Sequence, residues 1–304
     1  MRKTNAILFF FCFLTFNLFS SKIKKAYDAF LIYDYFKAKK LAYTTFSKKP
    51  VLSSYLLAVI YSRNDNPFHQ LDSAYKFIEI AAVKKWNTND VKFFKEMKLD
   101  TSLVSSLREK IHLQLFKQQF NSGTTYTAND AEKFLLNYPT TIFKQQVIFK
   151  RDSVVFHEAL KEKSSLKMAQ LQLEYPESFY KQQIKEQEEF FRYKEFVSEE
   201  NPNKIERFIH QYPKSKYVAN AQDDLFEIAM MNKNKALLHR YILLFPAHSS
   251  VEAAWKMLYT LEIINYSDNA LSNFIAKYPD FPYKKSIERE LILSKQTIFI
   301  VKQN

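Results

Sequence analysis

The chain has 304 residues, 47% hydrophobic and 25% charged, a balance that fits a folded protein and excludes a disordered one. Its only glycine, Gly123, excludes the glycine-rich loops that cradle phosphates or dinucleotides, and argues against tight-turned sandwiches, barrels and propellers. The formal net charge is +13, but the lysines are spread along the chain instead of forming a block, so no nucleic acid is expected as a partner.

Residues 1–21 read as a secretory signal peptide. Arg2 and Lys3 give the positive start, and residues 6–19 are an apolar run broken only by Thr15 and Asn17. That run is shorter than the roughly 20 residues a membrane span requires. Cys12 is the sole cysteine, and Phe9, Phe10 and Phe11 precede it where a lipoprotein site has small residues. The expectation is an exported protein, periplasmic or cell-surface associated and not a lipoprotein. Its mature form has no disulfide and no catalytic thiol.

Residues 22–123 form a first helical region. Ala38 and Pro50 have the spacing of the small residue and closing proline in a tetratricopeptide repeat, and Ala58, Tyr61, Ala74, Ile78 and Ala81 suggest a following unit. Small residues at such points let two helix backbones approach closely. Asn64, Asp65, Asn66 and Pro67 make a turn by their chemistry. Two further helices are expected between residues 89 and 119, parted near Leu99 and Asp100, with Leu103, Leu107, Ile111 and Leu115 on the buried stripe. Residues 121–125 are the clearest break in the chain. Beyond it, Thr127 and Asp130 form an N-terminal capping pair, and Asn201 with Pro202 another helix start.

Residues 124–296 carry five copies of one pattern. An aromatic is followed by proline at Tyr138, Tyr175, Tyr212, Phe245 and Tyr278, with spacings of 37, 37, 33 and 33. A period of this size marks an array of helical hairpins. Four residues before each anchor stand Phe134, Leu171, Phe208, Tyr241 and Phe274, one turn back on the same helix face. The proline ends the first helix, because it has no N–H to donate and drives the preceding residue out of the α region. Two residues past it, Thr141, Ser178 and Ser215 offer hydroxyls to cap a second helix. Eight past it, Val147, Ile184, Ala221, Ala254 and Ile287 meet the neighbouring helix. Residues 297–304 form an apolar, β-branched tail, expected to fold back on the last hairpin, seal an interface or lead into a further domain.

The run Tyr212, Pro213, Ser215 and Tyr217, followed by Ala221, resembles the repeats of exported tetratricopeptide-like proteins of Gram-negative bacteria. These include the Tol-Pal coordinator and the lipoprotein of the outer-membrane β-barrel assembly machine. The layout, with Asn66, Pro67 and Phe68 ahead of Leu71, Asp72, Ser73, Ala74 and Tyr75, is also similar to the helical N-terminal region of WG-repeat proteins. The resemblance implies an all-α, tetratricopeptide-like α-solenoid acting as a non-enzymatic protein-binding scaffold in the cell envelope. An assembly or anchoring module for anionic envelope glycan or lipid is the alternative, and an envelope hydrolase a more distant one.

Reaction chemistry is not evident. His157 and Glu158 resemble the opening of a zinc-binding helix, but Lys161 stands where the second histidine belongs. His210, His239 and His248 occupy different positions in the repeat, so no metal and no cofactor is expected. Ser73 with Lys76, Ser164 with Lys167, and the Ser267, Asp268, Asn269 run match two motifs of the serine β-lactamases, while the third needs a glycine that the chain lacks. One constellation points to binding. Five residues before each anchor stand Lys133, Gln170, Arg207, Arg240 and Asn273, all polar and three of them basic. Stacked hairpins would line these up as a partner-binding row.

Overall fold

The computed structural model describes residues 21–121, 123 and 125–303, with side chains described through residue 293. The expected signal peptide thus lies outside the described residues except for Ser21, whose hydroxyl accepts the Lys24 N–H and caps the first helix. The described residues contain sixteen α-helices and no strand, so the chain is all-α. It divides into two compact units, Met1–Val155 and Phe156–Asn304.

The first unit contains α1 (Lys22–Leu31), α2 (Tyr35–Thr45), α3 (Pro50–Ser62), α4 (Leu71–Val83), α5 (Thr88–Glu96), α6 (Ser102–Phe120), α7 (Ala128–Asn137) and the start of α8 (Lys144–Glu162). Here α1 packs on α2, α2 on α3, α3 on α4, and α4 on α6. The alanines permit this close approach: Ala38, Ala42, Ala58, Ala74 and Ala81 are all completely buried. Thr45, also buried, satisfies its hydroxyl with the Leu41 and Ala42 carbonyls and Ser53. The turn after α3 is built by Asn66, whose amide donates to the Ile60 and Arg63 carbonyls while its oxygen accepts from the Phe68 N–H. The expected stripe of α6 needs one correction. Leu103 is exposed and Val104 is buried in its place, because the buried face runs through Val104, Ile111 and Leu115. The break before α7 turns through Gly123 at φ +100, and Thr127 and Asp130 then close a reciprocal capping box.

The second unit contains the remainder of α8, then α9 (Ser165–Glu174), α10 (Lys181–Val197), α11 (Pro202–Gln211), α12 (Val218–Met231), α13 (Lys235–Leu244), α14 (Val251–Glu262), α15 (Asp268–Lys277) and α16 (Lys284–Gln303). Helices pair as α9 with α10, α11 with α12, α13 with α14, and α15 with α16, and each pair packs on the next. The second helices also touch along the series, α10 on α12 and α12 on α14. The backbone of residues 297–303 is helical, continuing α16.

The repeat register is visible in the burial of each copy. Phe134, Leu171, Phe208, Tyr241 and Phe274 are all buried, and so are Val147, Ile184, Ala221, Ala254 and Ile287. Each anchor aromatic ends its helix by leaving the α region, with φ between −124 and −129 and ψ between 54 and 71, as the proline after it requires. Its N–H still bonds the carbonyl four residues back. The turn that follows is the same five times over. The residue two past the proline donates its N–H to the anchor carbonyl, at 3.0–3.1 Å, in Thr141, Ser178, Ser215, His248 and Phe281.

The hydroxyls of that turn do not cap the second helix as expected. Those of Thr141, Ser178 and Ser215 accept the N–H groups of Phe143, Tyr180 and Tyr217, which lie just ahead of the first helical residue. The chain makes a second tight turn before the helix starts, so a hydroxyl two residues back reaches only this N–H. His248 does the same job with its Nδ1, which accepts from the Ser250 N–H.

Candidate interaction surface

The five residues of the expected binding row are all exposed, on α7, α9, α11, α13 and α15 respectively. Their exposure follows from the register. Each precedes a fully buried residue by one position, which rotates it about 100° away from the core. Lys133 belongs to the first unit, and the other four to the second.

Two of them share a groove. Arg207 on α11 and Arg240 on α13 both line an open groove of about 710 Å³, with Ile209, His210 and Leu244 among its walls. The helices that flank it are first helices of successive hairpins, which approach less closely than the second helices α10, α12 and α14. Gln170 and Asn273 do not line this groove.

The two arginines differ in engagement. The Arg240 guanidinium pairs with the Glu206 carboxylate. Burial pushes the Glu206 carboxyl up from its usual range, with Arg240 opposing that rise. Oxygen Oε1 of Glu206 is buried with no hydrogen-bond partner among the described residues. Neither Glu206 nor Leu244 carries a signal in the sequence pattern, because the residues at their repeat positions differ in type from copy to copy.

The pattern also missed an apolar component. Three residues after the row positions, on the same helix face, Leu136, Leu173 and Leu243 are 80%, 82% and 57% exposed. In the third copy His210 holds that position. Exposed leucine beside a basic or amide side chain makes an amphipathic strip on each of these helices.

The most interconnected polar cluster lies elsewhere, in the first unit. Glu79 accepts from Arg108 and from His112 Nε2, at 2.9 Å. His112 Nδ1 accepts the Ile142 N–H at 3.2 Å, which places the ring proton on Nε2. Arg108 also donates to the Thr140 carbonyl, and the Tyr75 hydroxyl contacts both Thr140 Oγ1 and the Thr140 N–H. Burial opposes ionisation of Glu79, but the His112 and Arg108 hydrogen bonds outweigh it and hold the carboxyl down at about 2. His112 is 1% exposed, and through Ile142 and Thr140 the cluster clasps the turn after Tyr138.

The remaining candidates resolve into structural roles. His157 lies on the exposed face of α8 and its ring meets Tyr180 edge-on. His239 packs on Trp255 and Tyr278, and His248 on Tyr241. Ser164 and Ser267 cap α9 and α15, and Ser73 hydrogen-bonds Gln70. Among the described residues no group of three or more His, Cys, Asp or Glu side chains is placed to hold a metal. Among them, too, no helix is long and apolar enough to cross a membrane.

Comparison with protein-family models, with curated proteins and with solved structures found no match to this chain.

Proposed function

We propose that this chain is an exported, tetratricopeptide-like α-solenoid that works as a non-enzymatic scaffold, holding protein partners in the bacterial cell envelope. The observation that carries the reading is the amphipathic strip on the first helices of the hairpins. There exposed polar or basic residues stand one turn from exposed leucines. A surface made only for anionic glycan has no use for the leucines, whereas a peptide supplies both charge and apolar side chains. The anchoring role on glycan or lipid stays as the second reading, supported by the net charge of +13.

Co-purification from the envelope fraction of a Gram-negative host separates the two. The scaffold reading expects a protein partner retained in stoichiometric amount after glycan digestion and detergent extraction. Retention on glycan or anionic lipid alone, lost in high salt, would establish the second reading instead. For export, N-terminal sequencing should begin at Ser21 or Lys22. Intact Met1 on soluble cytoplasmic protein would overturn localisation.

A further inference from the structure

We infer that the groove between α11 and α13 is the peptide-binding site of the second unit, and that its ligand is an acidic segment bearing apolar side chains. This rests on the scaffold reading and narrows it to one place and one ligand chemistry.

Charge complementarity is the first argument. Arg207 is exposed and its guanidinium has no ion-pair or hydrogen-bond partner among the described residues, although it stands beside Glu206 in sequence. It is therefore a cation held at the groove without a neutralising group of its own. Arg240 is paired with Glu206 but remains 55% exposed, and a guanidinium presents five N–H donors, so its outer edge is free to take a second carboxylate. Two guanidiniums on opposite walls thus face one space.

The second argument is the orphaned oxygen. Glu206 lines the groove, and its Oε1 is buried with no hydrogen-bond donor among the described residues, so the carboxylate keeps an unused acceptor. A small anion or a lipid phosphate brings no N–H to such an atom, but a peptide brings one at nearly every residue. The third argument is shape and polarity. Ile209, Pro213 and Leu244 line the same groove, and its volume of about 710 Å³ suits a few side chains of an extended segment. Carboxylates on Arg207 and Arg240, a backbone N–H toward Glu206, and an aliphatic side chain on Leu244 together describe the ligand.

The test is fluorescence polarisation of the full chain with a short fluorescein-labelled peptide of alternating glutamate and leucine. Two controls are used: the same peptide with glutamine for glutamate, and phosphatidylglycerol vesicles. Saturable binding of the acidic peptide is expected, at least tenfold tighter than that of the glutamine peptide at 0.1 M salt. Arg207→Ala should weaken it about three- to tenfold, and Arg207→Glu more. Leu244→Ser should weaken it without changing its salt dependence. Because Arg207 is exposed and unpartnered, its variants should keep the parent helical circular dichroism.

Equal affinity for both peptides would overturn the inference, and so would acidic-peptide binding unchanged in Arg207→Glu. Binding to vesicles but to neither peptide would make the groove a lipid headgroup site and overturn it as well. If an envelope protein co-purifies with the Arg207→Glu and Leu244→Ser variants as with the parent, the scaffold reading stands and the groove falls. If none co-purifies with the parent, the scaffold reading itself fails.

Discussion

Phe208 loses all of its surface in the folded chain, while Arg207 beside it stays exposed. Phe208→Ala should therefore cost about 3–5 kcal/mol, and Arg207→Ala no more than about 0.5 kcal/mol, in urea melts followed by circular dichroism. Equal losses would contradict the helical register. Two of the carboxylates that respond to acid are part-buried, one in each unit. Burial opposes ionisation of both Glu79 and Glu262. Hydrogen bonds from His112 and Arg108 in the first case, and from Lys277, Tyr278 and Lys235 in the second, hold each at about 2. A carboxyl depressed on folding stabilises the protein above its unfolded value of about 4.3, and that stability is lost as pH falls toward the folded value. The urea midpoint should drop between pH 5 and pH 2.5, and Glu79→Gln or Glu262→Gln should flatten the drop by lowering the pH 5 value. An unchanged slope in both variants would mean that other carboxylates govern acid unfolding. At this scale the sequence is informative about apolar residues and silent about polar ones. Phe134, Phe208 and Phe274 announce themselves by recurring, whereas Glu79 and Glu262 find partners 29 to 33 and 15 to 27 residues away that no local pattern links to them.

Helix endings reveal what a chain with one glycine must do instead. Tyr33, Lys163, Glu200 and Lys233 adopt left-handed backbone, with φ of 64, 49, 49 and 48, each directly before the residue that caps the next helix. Left-handed backbone costs an ordinary residue about 1–2 kcal/mol, which is why glycine is usual at such a position. Glu200→Gly and Lys233→Gly should each raise the thermal midpoint, with a gain of about 0.5–1 kcal/mol. A loss from both would show that these side chains stabilise the turn by contacts of their own. The hairpins themselves were legible because proline, the four-residue step before it and the eight-residue step after it are local rules. The misassigned hydroxyls were not legible, since a second turn between proline and helix leaves no mark in residue types. The shift from Leu103 to Val104 has a similar cause: at the start of α6 both are apolar, and only packing on α4 decides which turns inward.

Across the molecule, a net charge of +13 predicts a general attraction for anions, from which the row on the first helices must be distinguished. Changing Lys133, Arg207 and Arg240 to glutamate should weaken partner binding more than the same change at Lys84, Lys85 and Lys95, which are exposed and match in charge. Lys39 is unsuitable as a control because its ammonium lies 3.9 Å from the centre of the Phe68 ring. The difference should shrink from 0.1 M to 1 M salt as the screening length falls from about 10 Å to about 3 Å. Equal weakening by both triples would leave bulk basicity as the cause. The sequence reached the all-α class and the exposure of the row, but not the groove, which depends on how far apart successive first helices stand. The joints between hairpins have a consequence of their own. Glu189 and Tyr259 both lie fourteen residues after their anchors, Tyr175 and Phe245. Glu189 accepts from Ser215 of the next turn, whereas Tyr259 stacks on Phe281 of its next turn, with rings 5.9 Å apart and 10° from parallel. In these two joints the turn matches the helix before it, hydroxyl to carboxylate in one and ring to ring in the other. Shuffling the hairpins would set Ser215 against a phenol ring and Phe281 against a carboxylate. The order of the copies is thus written into their joints, and these two cannot be exchanged, duplicated or deleted singly without mismatching a joint.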